Sequence, residues 1–182
     1  MKILQFLRVL LGITLIAFSC NQASNKETPS DNVKYAKGQS TVDDSNSVPN
    51  LLRIALNSES HTTLVAAAQA AEIEDVLVNA GPITLFAPTN AAFDKVPAET
   101  LQDLLKPENQ GALRNILYYH AAPGKYNLED LKKEKSLYEA NGGFVDITVE
   151  GEDVFVNGSK ILGTVVASNG IVHVIDDVLL PK

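Results

Sequence analysis

Residues 168–182 read SNGIVHVIDDVLLPK, and the reading of this stretch decides how the rest of the chain is arranged. Asn169 and Gly170 supply turn chemistry, Ile171 to Ile175 supply a strand, and His173 precedes Asp176 by three positions. A histidine so near an aspartate invites a catalytic or metal-binding reading. Side chains alternate along a strand, however, so His173 and Asp176 face opposite sides unless the strand ends between them. His173 is therefore read as a half-buried polar anchor in a final strand.

Upstream of this strand the apolar period is two. SLYEA (136–140), FVDITVE (144–150), DVFV (153–156) and KILGTVVA (160–167) are separated by NGG, GE, NGS and SNG, the punctuation of an antiparallel meander. Earlier still the period becomes helical. Leu51, Leu52, Ala55 and Leu56, then Leu64, Val65, Ala68 and Ala71, recur at helical spacing, and PAETLQDLLK, PENQGALRNILYYH and NLEDLKKE add further helices. A single strand, GPITLFAP (81–88), interrupts them, followed by a cap-like Thr89 and Asn90 ahead of a short helical turn. Helices followed by a meander predict an α+β domain over residues 46–182.

The remaining residues are of another kind. Lys2 and Arg8 flank the start of MKILQFLRVLLGITLIAFSC, whose apolar run is short for a membrane span, so residues 1–19 read as a secretory signal. Cys20 is the sole cysteine of the 182 residues, and an exported chain rarely keeps one thiol for packing. AFSC resembles a bacterial lipobox, with Ala17 and Phe18 departing from its commonest form. The resemblance implies lipidation at Cys20 and, with Asn21 next, a place in the outer membrane or cell surface of a Gram-negative bacterium. Residues 20–45 are rich in Ser, Asn, Asp and Thr and read as a flexible tether. The formal charge of −7, with no basic stripe, argues against a nucleic-acid partner.

No residue pattern announces catalysis. His61, His120 and His173 lack the H-x-x-x-H or C-x-x-C spacing that closes around a metal, there is no G-x-S-x-G, and no glycine-rich phosphate loop. His120 ends an apolar helix, where a ring nitrogen can bind loop backbone or the last carbonyls. His61 sits near a helix start and reads as a surface or capping residue. The expectation is a non-enzymatic protein with no metal and no cofactor.

Three segments then carry a family resemblance. TLFAPTNAAFDKVP, ILYYHAAPGKY and ASNGIVHVIDDVLLP resemble, in order and spacing, the signature boxes of the fasciclin-like (beta-Ig-H3/fasciclin) domain family across residues 46–181. The first box carries over to Thr84, Phe86, Ala87, Pro88, Thr89, Asn90, Ala92 and Phe93. The last carries over to Asn169, Gly170, His173, Ile175 and Asp176, with Tyr119 and His120 between. The resemblance implies an antiparallel β wedge or sandwich packed against a bundle of short α-helices. It further implies cell adhesion or binding of extracellular protein, matrix or glycan. An alternative is a binding module for glycans or an apolar small molecule such as a carotenoid. Tyr119, His120, Asn169, Gly170 and His173 are the motif residues that interaction would use. Adhesive animal members often have an aspartate where this chain has Thr164, so an integrin-type aspartate contact is not expected there.

Overall fold

The computed structural model describes residues 48–79 and 81–181. The segments expected to be a signal at 1–19 and a tether at 20–45, with Cys20, lie outside the described residues. Short helices come first: α1 (Leu51–Leu56), a 3-10 turn (Glu59–His61), α2 (Thr62–Ala70) and α3 (Glu74–Asn79). Strand β1 (Ile83–Pro88) precedes α4 (Asn90–Phe93), α5 (Ala98–Leu104), a second 3-10 turn (Pro107–Asn109) and α6 (Gln110–Tyr118). After β2 (Ala121–Pro123) and α7 (Leu128–Leu131) come β3 (Ser136–Tyr138), β4 (Phe144–Glu150), β5 (Asp153–Val156), β6 (Ser159–Ala167) and β7 (Gly170–Ile175). The α+β order read from the sequence is the observed one.

Local chemistry explains many of the boundaries. Asn50 caps α1 by accepting from Arg53 N–H, Thr89 caps α4 by accepting from Ala92 N–H, and Asn127 forms a reciprocal capping box with Asp130 on α7. Arg114 reaches from α6 to the Ala71 carbonyl with two guanidinium nitrogens, at 3.1 and 2.8 Å, satisfying an acceptor that the end of α2 leaves over. Strand β4 begins with strict alternation, Val145 and Ile147 buried between exposed neighbours.

The strands form one seven-stranded sheet in the order β2-β1-β7-β6-β5-β4-β3. Its pairings are antiparallel except one, for β1 runs parallel to β7 from Ile83 beside Gly170 to Pro88 beside Ile175. This corrects the wholly antiparallel sheet expected from the meander. The reason lies in burial: β1 is buried from Thr84 to Pro88, and β7 is buried at every position but Val174. A strand covered on both faces carries a continuous apolar run rather than an alternating one, as parallel strands do. ITLFAP and GIVHVI both have that character.

Alternation along these two strands divides the interior. Leu85, Ala87 and Val172 join α1, α2, α3 and α6 in one core, while Phe86 and Ile175 join Val145, Ile147, Val154 and Val156 in a second core. The sheet thus curls, with its β3–β5 end covering the face of β1 and β7 that turns away from the helices.

Gly170 decides how closely β1 and β7 approach. A Cβ built there would collide with the Ile83 carbonyl, whereas one at Gly111, on α6, would meet nothing within 4 Å. Gly170→Ala is expected to destabilise the domain by about 3 kcal/mol, near the upper end for overpacking. Gly111→Ala should be neutral or stabilising by up to about 1 kcal/mol through helix propensity. Urea denaturation of both variants against the wild type measures the contrast.

Candidate functional site

The family motif residues converge on β1 and β7, and their polar groups are directed inward. Asn169 sits in the β6–β7 turn as its sequence predicts, but its side chain works at longer range. The carboxamide oxygen accepts from Leu51 N–H at 3.0 Å, and the amide nitrogen donates to the Leu77 and Val78 carbonyls at 2.7 and 3.1 Å. Its own carbonyl accepts from Ile83 N–H at 3.3 Å. One residue therefore joins the start of α1, the end of α3 and the start of β1. Gly170 belongs to β7 rather than to the turn, so its role is close approach of backbones.

His173 is fully buried and stacks on Phe86 at 5.8 Å between ring centroids. The Tyr126 carbonyl can only accept, so Nε2–H donates to it at 2.8 Å, and Nδ1 then accepts from the Thr164 hydroxyl at 2.8 Å. Burial lowers its pKa, opposed in part by the Tyr126 carbonyl. Asp176 makes no bond to His173. It accepts from the Ser159 hydroxyl and from Lys160 N–H, at 3.1 and 2.8 Å, and fastens the end of β7 to the start of β6.

His120 is a second strut. Leu179 N–H donates to Nε2 at 3.0 Å, which places the proton on Nδ1, and Nδ1–H donates to the Ile116 carbonyl at 2.8 Å. The ring so connects the last turn of α6 to the C-terminal segment, and burial holds its pKa down to about 4, opposed in part by that carbonyl. Tyr119 beside it turns to the second core, donating to the Phe144 carbonyl at 2.7 Å and accepting from the Asn157 amide at 3.0 Å. Phe86 N–H donates to the His120 carbonyl at 2.8 Å, so His120 and His173 meet at Phe86. Tyr119, His120, Gly170 and His173 are all buried, and Asn169 is half-buried. A partner approaching from outside meets other residues.

Two buried polar groups escaped the sequence reading. His61, expected as a surface or capping residue, does stand at the N-cap position of α2 but is 7% exposed. Its helical spacing with Leu64 and Ala68, three and seven positions on, is the signal that would have placed it inside. Glu139 has no accessible surface, and neither carboxyl oxygen has a hydrogen-bond partner among the described residues. Alternation with buried Leu137 in SLYEA was the available signal. Burial pushes the Glu139 carboxyl up to about 8, so it is protonated at neutral pH. Among the described residues, no group of three His, Cys, Asp or Glu side chains is placed to hold a metal ion.

Several large apolar side chains face outward among the charged ones. Tyr138 and Phe144, paired across β3 and β4 with ring centroids 5.2 Å apart, are 52% and 62% exposed. Leu162, Val165 and Val166 on β6 are also exposed. A separate cavity of about 240 Å³ lies against α5 and α6, lined by Phe93, Leu101, Leu104, Leu113 and Leu117, with Lys95 among its polar neighbours.

This arrangement of polar struts around a parallel β1–β7 pair defines a structural domain class. A model of the fasciclin domain matches residues 59–181, and the chain belongs to the fasciclin family. It is 41% identical over 132 residues to protein sll1483 of Synechocystis sp., covering 72% of this chain and 73% of that protein. It is 35% identical over 135 residues to transforming growth factor-beta-induced protein ig-h3 of Sus scrofa, covering 72% of this chain but 19% of that much longer protein. The solved FAS1 domain pair of the insect cell adhesion molecule Fasciclin I superposes with a TM-score of 0.66 at 20% identity. That match covers 73% of this chain and 51% of that one, and it shows the fold. Domains of the family are associated with cell adhesion and extracellular binding.

The buried acid and bases set a pH profile. His120 binds its proton more readily when unfolded, from an ordinary value of 6.5, so its contribution to stability is present above pH 6.5 and is lost as pH falls towards 4. His61 and His173 act in the same sense. Glu139 acts oppositely, with stability present below 4.5 and lost as pH rises through 8. Stability should peak near pH 6.5 and fall by roughly 2 kcal/mol by pH 8, at 1.4 kcal/mol per pH unit for one proton. Denaturant titrations across pH 4–9 measure this, and Glu139→Gln should flatten the alkaline arm alone.

Proposed function

We propose that the chain is an exported, non-catalytic envelope protein, anchored through lipid on Cys20, whose fasciclin domain mediates adhesion or binds an extracellular protein, matrix or glycan. One observation carries the binding surface: the polar motif residues are committed to internal hydrogen bonds, while Tyr138, Phe144, Leu162 and Val166 stand exposed on the strands. Aromatic residues with a polar tip and exposed aliphatic side chains are the groups protein and glycan partners cover. The same commitments support a non-enzymatic reading, since neither His120 nor His173 has a ring nitrogen left to move a proton. The lipobox-like AFSC and the Ser- and Asn-rich segment after it support a tethered domain. Acyl chains contribute about 0.8 kcal/mol per buried methylene, enough for several together to hold a soluble domain on a bilayer.

Deleting the gene is expected to reduce attachment, aggregation or biofilm formation by the host, and the wild-type gene should restore it. Phe144→Asp combined with Val166→Asp should fold, with little change in melting temperature, yet fail to restore attachment. Cys20→Ser should move the protein from the membrane fraction to the soluble fraction without changing the fold. Unaltered attachment in the deletion strain would remove the adhesion reading.

The cavity against α5 and α6 supports a second reading, in which the domain carries an apolar small molecule such as a carotenoid. Purification from the host followed by absorbance and mass spectrometry tests it: a colourless protein with no co-purifying molecule eliminates this reading and leaves adhesion untouched.

A further inference from the structure

Asparagine precedes glycine at Asn141, Asn157 and Asn169, and these pairs lie at the β3–β4, β5–β6 and β6–β7 connections. The dipeptide is chemically reactive. The glycine nitrogen can attack the asparagine Cγ, because no Cβ on the following residue obstructs the approach. Whether it does so in a folded chain depends on where the carboxamide is held.

The three carboxamides are held differently. Asn157 reaches across to other elements, its oxygen accepting from Asp146 N–H at 2.8 Å and its nitrogen donating to the Tyr119 hydroxyl at 3.0 Å. Asn169 is bonded to Leu51, Leu77 and Val78, and the glycine after it is buried. In both, turning Cγ towards the following nitrogen breaks bonds to other elements. Asn141 instead folds back over its own chain, for its oxygen accepts from Gly143 N–H, two residues on, at 2.9 Å. Its nitrogen makes one exposed, long bond of 3.3 Å to the Asn115 carboxamide oxygen. Gly142 is exposed, and its N–H donates to the Glu139 carbonyl at 2.9 Å, a contact that must open for solvent base to reach the nitrogen.

We propose that Asn141 is a self-modification site, converted through a cyclic imide to aspartate and isoaspartate while Asn157 and Asn169 remain amides. The Gly142 nitrogen, its proton taken by hydroxide, bonds to Asn141 Cγ, and the carbonyl electron pair moves to Oδ1, to which Gly143 N–H already donates. Collapse breaks the Cγ–Nδ2 bond, and ammonia leaves with a proton from water. Water then opens the imide at either carbonyl. Opening at the former backbone carbonyl leaves isoaspartate, whose main chain is lengthened by a methylene. That methylene falls between Glu139 and Gly143, where Glu139 N–H donates to the Gly143 carbonyl at 2.9 Å, beside the Tyr138–Phe144 pair. On the adhesion reading, modification weakens the exposed aromatic surface as the protein ages. The chemistry at Asn141 does not depend on that reading.

The test incubates the full chain, in mild detergent and heavy-oxygen water at mildly alkaline pH, either folded or in guanidinium chloride, and maps its peptides by mass spectrometry. In the folded protein Asn141 should take up heavy oxygen about ten-fold or more faster than Asn157 and Asn169, the rate factor of one or two net hydrogen bonds. In denaturant the three should agree within about three-fold, since each is followed by glycine. Asn141→Gln should keep its melting temperature and show no uptake at that position. The proposal is overturned by equal rates in the folded protein, by faster reaction at Asn157 or Asn169, or by a preference for Asn141 that persists in denaturant. Aged wild-type protein should lose attachment relative to aged Asn141→Gln. Equal attachment by the two removes the link to adhesion and leaves the modification map standing.

Discussion

The side chain of Asn169 is the constraint on which the rest of the domain depends. It satisfies an N–H at the start of α1 and two carbonyls at the end of α3, both of which would otherwise end inside or against the sheet unpaired. Only a carboxamide offers an acceptor and donors from one short stem. Beside it, Gly170 allows the Ile83 backbone to come into contact, and the parallel β1–β7 pair starts there. Fixing the register at this end places Phe86 opposite His173, and therefore decides which side chains enter each of the two cores.

At the other end of that pair, the histidines act as neutral connectors. His173 ties the loop at Tyr126 to β6 and β7, and Thr84 holds the same loop by accepting from Tyr126 N–H and donating to the Gly124 carbonyl. His120 ties α6 to the C-terminal segment. An imidazole suits this work because the neutral ring donates at one nitrogen and accepts at the other. The residues that mark the family are thus scaffold, their polar groups engaged inside the domain. The hairpin aromatics Tyr138 and Phe144, by contrast, stand exposed.

Much of the fold was legible because its elements carry local signals. Asn50, Thr89 and Asn127 cap helices that their apolar spacing announces, and the turns NGG and NGS separate strands with alternating residues. Strand β2 was not legible, for AAP is three residues long and has no period. The parallel direction of β1 was not read either: continuous burial was visible in ITLFAP, but which strand lies beside it depends on a contact far along the chain. His61 and Glu139 were misplaced or overlooked for a related reason. Their period points inward, and polar identity outweighed period in the reading.

The sequence by itself determined the α+β class, the helix caps, the hairpin order and membership of the fasciclin family, because each rests on residues close together or on motifs in fixed order. It also contains the lipobox-like segment at Cys20 and the polar stretch after it. Tertiary structure alone decided that β1 runs parallel to β7, that Asn169 joins three elements, and that Glu139 is enclosed without a partner. It also decided that the nitrogens of His120 and His173 are fully bonded while His61 Nε2 is not. Hydrogen-bond satisfaction and desolvation depend on every group that surrounds an atom in space, and those groups come from α1, α3, α6 and several strands at once.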